Sequence, residues 1–159
     1  MPDQQLPPDH EPPSVQERLY PGLTCFCCGH ANPKGLHLRS YQDGDAVVGT
    51  FRPWPEHDNG AGFLNGGVIA TVLDCHSFAA VMVEADRQGW EPLGGAPLPF
   101  VTAGIELRYL RPTPLYEPSG LWARLRSASA DEVVAEAEVR WDGKPRAAAV
   151  TTWRRWRPR

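Results

Sequence analysis

The spacing of apolar residues predicts one long helix among several strands. Residues 68–84 are apolar on most faces and form a run too long for an ordinary strand, which indicates a buried central helix. Asn65 stands just before this run, where asparagine is a favoured N-cap residue. Extended apolar patterns bounded by Gly, Pro and Asp predict strands at residues 35–41, 46–51, 100–111, 120–129, 132–141 and 145–156.

The order of these elements predicts an α+β fold. The first two strands form a hairpin around the turn at residues 43–45, the long helix follows, and consecutive antiparallel strands complete the sheet. We therefore expect a single domain over residues 21–159, with an antiparallel sheet wrapped around the helix. Residues 1–20 are rich in proline and charge, and we expect a flexible arm because they offer too little apolar surface to offset the entropy of ordering.

Composition argues against several classes of partner. The net charge is -3, with sixteen basic residues scattered among nineteen acidic ones, so we expect no broad positive face for nucleic acid. The N-terminus lacks the basic and apolar regions of a signal peptide, and Asp74, His76 and Glu84 interrupt the longest apolar segments. We expect a soluble, cytoplasmic protein with no membrane partner.

Asp74 is the first candidate for chemistry because it lies in the middle of the most apolar helix. An ionised carboxylate there costs several kcal/mol unless it is paired or hydrogen-bonded. Buried ionisable groups of this kind tend to mark functional sites. The alternative is that a local donor such as Ser77 satisfies the carboxylate and that Asp74 has no functional role.

The segment Asn65-Gly66-Gly67 is the second candidate. Backbone N–H groups at a helix start lack intrahelical partners and carry the positive end of the helix dipole, and glycine lets a ligand oxygen come close. Such a helix start can form an oxyanion hole. The alternative is an ordinary asparagine cap, with the glycines selected for tight packing.

The spacing of these two candidates predicts that two subunits are needed for one site. Nine residues separate Asn65 from Asp74, which corresponds to a rise of about 13.5 Å along a helix. Both therefore cannot touch one substrate carbonyl from the same chain. Two such helices antiparallel across a two-fold axis would give two equivalent sites per homodimer. Further pairing into a dimer of dimers is left open.

The run from Asn65 to Asp74 resembles the His-Gly-Gly-x6-Asp signature of hot-dog thioesterases, with asparagine where that family usually has histidine. The phenylacetate-pathway and four-hydroxybenzoyl-CoA types are similar. The stretches at residues 25–36 and 105–112 resemble the loop before the first strand and the strand after the helix in the same family. The resemblance covers residues 25–156. It implies a hot-dog fold and hydrolysis of an acyl thioester.

The resemblance also implies roles for individual residues. Gly66 N–H would polarise the thioester carbonyl, and Asp74 would act as general base on water or as nucleophile. Thr102 would position the water beside that carboxylate, and Asn59 would place its amide against the thioester. Asn65 would keep the oxyanion hole in place by capping the helix.

Other residues are candidates for holding the rest of the substrate, an acyl-CoA or acyl-carrier-protein thioester. Gly67 would let the ligand approach the helix start, and Arg108 and Arg111 could grip the phosphates of the carrier, although a solvated strand face is an equal alternative. Phe63 and Phe78 are candidates for lining the acyl pocket and are equally plausible in the core.

Four cysteines raise the question of a metal. Cys25, Cys27, Cys28 and His30 form a C-x-C-C-x-H run, but the sequence offers no second ligand pair at the spacing of structural zinc sites. We therefore expect small packed loop residues, with no metal and no cofactor. Cys75 and His76 are expected to be packing residues, since neighbours on a helix do not face each other.

Two other functions remain open. A non-catalytic acyl-CoA binder is suggested by Asn65 in place of histidine. A hot-dog hydratase or dehydratase is less similar, since that group depends on an Asp and His pair at the start of its helix, whereas His57 and Asp58 precede it here.

Overall fold

A computed structural model describes residues 12–159. The helices are α1 (Val15–Leu19) and α2 (Gly66–Gln88), with a short 3-10 turn at Pro55–His57. The strands are β1 (Ser40–Asp43), β2 (Ala46–Phe51), β3 (Phe100–Tyr109), β4 (Ser119–Ala128), β5 (Glu132–Trp141) and β6 (Lys144–Arg155). The predicted α+β class, with one long helix against an antiparallel sheet, is confirmed.

The six strands form one antiparallel sheet in the order β1-β2-β4-β5-β6-β3. Alternate residues of the central strands face α2, and many of them are alanine. Small side chains let the helix lie close to the sheet, while larger residues of α2 such as Leu73 and Met82 fill the remaining space. The buried alanines below the helix are Ala123, Ala135, Ala137, Ala147 and Ala149.

Helix α2 has a defined start and end. Asn65 caps the first turn, and Gly89 ends the helix in the left-handed conformation (φ 69°), which glycine adopts without steric cost. By length and composition α2 could cross a membrane, but most of its apolar window is buried inside this fold. It is the core helix of the domain, as the sequence predicted.

The first strand starts later than predicted. Residues 35–39 are not extended, because His37 takes a positive φ of 51° and the backbone N–H groups of Leu36 and Leu38 bond to the carbonyls of Phe26 (2.8 Å) and Cys27 (2.9 Å). These residues therefore belong to the preceding loop, and the hairpin begins at Ser40.

Part of the predicted arm is structured. Val15 and Gln16 of α1 are buried, and the Gln16 side chain accepts a hydrogen bond from Ser40 N (3.0 Å) and donates one to Ser40 Oγ (3.1 Å). This pairing fixes α1 against the start of β1, so the described part of the arm, residues 12–20, packs on the domain. Residues 1–11 lie outside the described residues, and the arm stays a prediction there.

Candidate active site

Asp74 meets Thr102 where α2 packs against β3. The Thr102 hydroxyl donates a 2.9 Å hydrogen bond to Asp74 Oδ1. The register of β3 shifts between Thr102 and Gly104, and such a bulge re-aims side chains locally. Ser77 donates instead to the Asp74 backbone carbonyl (2.9 Å), so it is not the donor that satisfies the carboxylate.

The surroundings of Asp74 favour a carboxylate of increased basicity. Burial raises the pKa of this half-buried carboxyl, the Thr102 hydrogen bond lowers it, and negative charge on Cys25 raises it further. The net direction is upward. A carboxylate with a raised pKa takes a proton more readily than an ordinary aspartate does, which suits a general base.

The start of α2 presents a free donor. Asn65 Oδ1 accepts the N–H groups of Gly67 (2.8 Å) and Val68 (3.4 Å), while Asn65 N is held by His57 O (2.8 Å). Gly66 is the first helical residue, so its N–H has no intrahelical acceptor. The cap therefore leaves the Gly66 N–H as the donor that can meet a ligand oxygen.

Tyr109 covers this helix start, which the sequence did not indicate. Its hydroxyl donates a 2.7 Å hydrogen bond to Gly66 O, and a Cβ added to Gly66 would lie 3.1 Å from the Tyr109 ring. A larger residue at this position would push the exposed Tyr109 ring aside by a few tenths of an ångström, so glycine lets the ring lie this close. The only signal in the sequence was the position of Tyr109 in the strand after the helix.

A groove opens beside the helix start, and we call it the helix-start groove. Asn59 accepts the N–H groups of Ala61 (2.8 Å) and Phe63 (3.3 Å) with its side-chain oxygen, so its amide nitrogen is the atom that can reach a ligand. The aromatic ring of Phe63 is partly exposed in the groove. The groove is lined by Asn59, Phe63, Gly66, Gly67, Tyr109 and Arg111.

The remaining predicted substrate residues lie in different places. Arg108 lies on the outer face of the sheet, beside Glu136 and Arg124, so one chain does not bring it to the groove. Arg111 lines the groove and donates to Pro145 O (3.2 Å). Phe78 is buried and stacks on Trp153 with ring centroids 4.6 Å apart, so it is a core residue in this structure.

Two histidines near the site have structural partners. His76 is fully buried, bonded to Ser40 Oγ (2.9 Å) and to Val47 O (3.2 Å), and burial lowers its pKa to about 4. His57 accepts a hydrogen bond from Trp54 N (3.0 Å) and stacks on the Trp54 ring. As predicted, His76 is a packing residue.

The cysteines come together in a way that the sequence did not predict. Cys25 and Cys28 on the loop meet Cys75 on α2, and the three Sγ atoms lie within 4.8 Å of one another. The sequence showed no further metal ligand near the loop cysteines; in the structure, Cys75 of α2 lies in that position. His30 lies apart from this group, with Nδ1 3.7 Å from Glu17 Oε1.

Solved structures identify the fold. A thioesterase superfamily protein from Shewanella loihica is 28% identical, with a TM-score of 0.62, over 80% of this chain and 97% of that one. Zebra fish thioesterase superfamily member 2 is 22% identical (TM-score 0.64, 79% and 90% covered). The E. coli PaaI protein of the phenylacetic acid degradation operon is 18% identical (TM-score 0.58, 72% and 79% covered).

The chain has the hot-dog fold of the thioesterase superfamily. No protein-family model matches the sequence, and no curated protein matches it either. The hot-dog fold accounts for the central position of α2, whose start and middle carry the two candidate groups. Within one hot-dog domain, however, Gly66 and Asp74 are eight residues apart on the helix, a rise of about 12 Å.

Proposed function

We propose that this protein hydrolyses acyl thioesters, with acyl-CoA as the substrate class. The observation that carries the proposal is Asp74, a half-buried carboxylate at the centre of the core helix whose hydrogen-bond donor is the side chain of Thr102. A carboxylate of raised pKa beside a hydroxyl fits the activation of water. The thioesterase superfamily neighbours support the same reaction class.

Each site would be built by two subunits. The rise between Gly66 and Asp74 is too long for both to touch one carbonyl from a single chain. Strand β3 is one of the two edge strands, and apolar side chains are exposed on or beside it at Ile105, Tyr109 and Leu110. An exposed apolar edge of this kind supports a partner along β3. A two-fold axis there would bring the helix start of one subunit towards Asp74 of the other.

The chemistry would proceed with balanced proton transfers. Asp74 takes a proton from water as the oxygen attacks the thioester carbon, or attacks that carbon itself to form an anhydride that water then opens. The negative oxygen of the tetrahedral intermediate accepts the N–H of Gly66 at the positive end of the helix dipole. The C–S bond then breaks, and the sulfur leaves as a thiol after taking the proton held by Asp74 or, in the anhydride route, a proton of the water that opens the anhydride; either way the Asp74 carboxylate is regenerated.

The groove residues would hold the remainder of the substrate. The Asn59 amide nitrogen and the Arg111 guanidinium line the helix-start groove with the Phe63 ring, which offers donors and an apolar wall together. Arg108 on the outer sheet face would contact a carrier only if the second subunit or a further dimer reached that face.

A panel of short, medium, long and aromatic acyl-CoAs, followed by release of free thiol, tests the proposal. We expect turnover with at least one class and its loss in Asp74→Asn. Asp86→Asn is the matched control, since it makes the same change at an exposed position of α2 and should leave turnover unchanged. Retained turnover in Asp74→Asn would remove Asp74 from the mechanism. Saturable acyl-CoA binding without thiol release would instead favour a binding protein.

A further inference from the structure

The three-cysteine group lies beside Asp74 but takes no part in the bond-making and proton-transfer steps proposed above. Cys25, Cys28 and Cys75 are all free thiols, and the Cys25 and Cys75 Sγ atoms are 3.6 Å apart. A disulfide would need about 2.0 Å between the sulfurs. A tetrahedral zinc site with Zn–S bonds of about 2.3 Å places its sulfurs about 3.8 Å apart, so this spacing matches ligands around one ion.

The loop around Cys25 is tightly folded. Gly29 turns the chain back so tightly that an added Cβ would lie 2.4 Å from Cys25 N, and Gly29 N donates to Cys25 O (2.9 Å). The turn brings Cys25 and Cys28 close enough for both sulfurs to meet Cys75 on α2.

The closeness of the three sulfurs favours a cation between them. Their Sγ atoms lie within 4.8 Å of one another. Three thiolates at this distance would repel one another, and a divalent cation offsets the repulsion by pairing with all three.

We propose that Cys25, Cys28 and Cys75 bind a zinc ion through their three thiolates. The Cys25-x2-Cys28 spacing is the one that zinc sites commonly use for a ligand pair, and α2 supplies the third ligand. Cys25 is the partly exposed member, so the ion enters beside it and the fourth position is filled by solvent there. Binding releases thiol protons, because zinc is bound by thiolates.

The position of the site gives it a structural consequence. Cys75 follows Asp74 directly in α2, and Cys25 belongs to the loop that packs beside it. A bound ion would tie this loop to the helix at the candidate active site. Loss of the ion should therefore loosen the loop first and reduce the stability of the domain.

The test uses the full-length protein, reduced and treated with chelator, then titrated with zinc. We expect one zinc per chain by elemental analysis, a higher melting temperature with zinc, and proton release on binding. Cobalt(II) in place of zinc should give sulfur-to-metal charge-transfer absorption and the strong visible bands of tetrahedral geometry. These readouts do not depend on thioesterase turnover, so the proposal of a zinc site and the proposal of thioesterase activity are tested independently.

Serine variants assign the ligands. Cys25→Ser, Cys28→Ser and Cys75→Ser should each weaken zinc binding by about 100-fold or more, beyond what loss of an outer-shell contact usually costs. Thr24→Ser is the control on the same loop and should keep one zinc per chain, since Thr24 is exposed. Cys27 does not serve as the control because its side chain interacts with Cys75. Equal loss in Thr24→Ser would overturn the assignment. The zinc site itself would be overturned if the reduced wild-type protein took up no zinc and an oxidant formed a disulfide between Cys25 and Cys75.

Discussion

The Thr102 hydroxyl donates a 2.9 Å hydrogen bond to Asp74 Oδ1, and this contact joins β3 to the middle of α2. The two residues are 28 positions apart in the sequence. A β-bulge just after Thr102 changes the register of the strand at this point. The carboxylate is thereby oriented by a side chain on an edge strand, at the side of the sheet where a second subunit is proposed.

Removing the Thr102 hydroxyl should slow hydrolysis by way of Asp74. A hydrogen bond to a charged group contributes about 1.5–3 kcal/mol, so Thr102→Val should lower kcat about 10-fold to 100-fold. Because the hydrogen bond lowers the pKa of Asp74, its loss raises that pKa, and the acid limb of the pH–rate profile should move to higher pH. Thr102→Ser, which keeps the hydroxyl, should restore both. An unchanged acid limb in Thr102→Val would mean that Thr102 does not act through Asp74.

Asn65 variants should separate capping from catalysis. Asn65→Ala removes the acceptor for Gly67 N and Val68 N and should lower the free energy of unfolding by about 1 kcal/mol, measured in urea. Asn65→Asp keeps the cap but puts negative charge beside the Gly66 N–H, where the intermediate oxygen would also become negative. We expect near wild-type stability and a large loss of kcat.

Asn65→Ser is the control, since serine caps a helix without adding charge. It should be close to the wild type in both measurements. Equal activity in Asn65→Asp and Asn65→Ser would show that no negative charge develops near this helix start.

Local patterns were enough to predict α2 and its two candidate groups. The apolar run, the asparagine cap and a carboxylate in the middle of the helix are all visible within residues 65–84. The late start of β1 was not predictable in this way. The residues just before β1 form hydrogen bonds with the backbone of the preceding loop. The alternation of apolar and polar residues does not reveal that His37 has a positive φ.

Contacts between distant residues account for the features that the sequence did not predict. Cys25 and Cys75 are 50 positions apart and meet only because the loop packs on α2. Tyr109 reaches Gly66 across 43 positions, and its ring position depends on how β3 lies along the helix. The sequence allowed Phe78 to line a pocket or to lie in the core. In the structure it stacks on Trp153 of β6 and therefore lies in the core.

Stability should fall in mild acid because of His76. Burial lowers its folded pKa to about 4, so between this value and its ordinary pKa near 6.5 the unfolded chain binds a proton that the folded chain does not. Its contribution is therefore complete above the unfolded pKa and is lost as the pH falls towards the folded one. Over this window the loss should approach about 3 kcal/mol.

Urea unfolding of the wild type and His76→Gln, from about pH 7.5 to about pH 4.5, isolates this contribution. Glutamine can bond Ser40 and Val47 but does not titrate, so the variant should be less stable at neutral pH and lose less stability on acidification. Parallel pH curves for the two proteins would show that His76 is not held neutral in the folded state.

Mixed dimers provide the sharpest check on a site shared between subunits. Gly66→Val places a side chain against the Tyr109 ring and at the oxyanion donor, whereas Asp74→Asn removes the carboxylate. Each homodimer should be inactive, with circular dichroism and sedimentation confirming that it folds and dimerises. A dimer with one chain of each kind has one site with both defects and one site with neither, because each site takes its helix start and its carboxylate from different chains.

Unfolding the two variants together and refolding them should therefore restore activity. Random pairing makes about half of the dimers mixed, and each mixed dimer has one intact site of two, so about a quarter of the wild-type rate should return. Two variants at Asp74, for instance Asp74→Asn and Asp74→Ala, should give none when refolded together. If the Gly66 and Asp74 variants also stay inactive when refolded together, each site takes both groups from one chain. The distance between Gly66 and Asp74 along α2 would then mean that the substrate spans both groups or that only one of them acts on it.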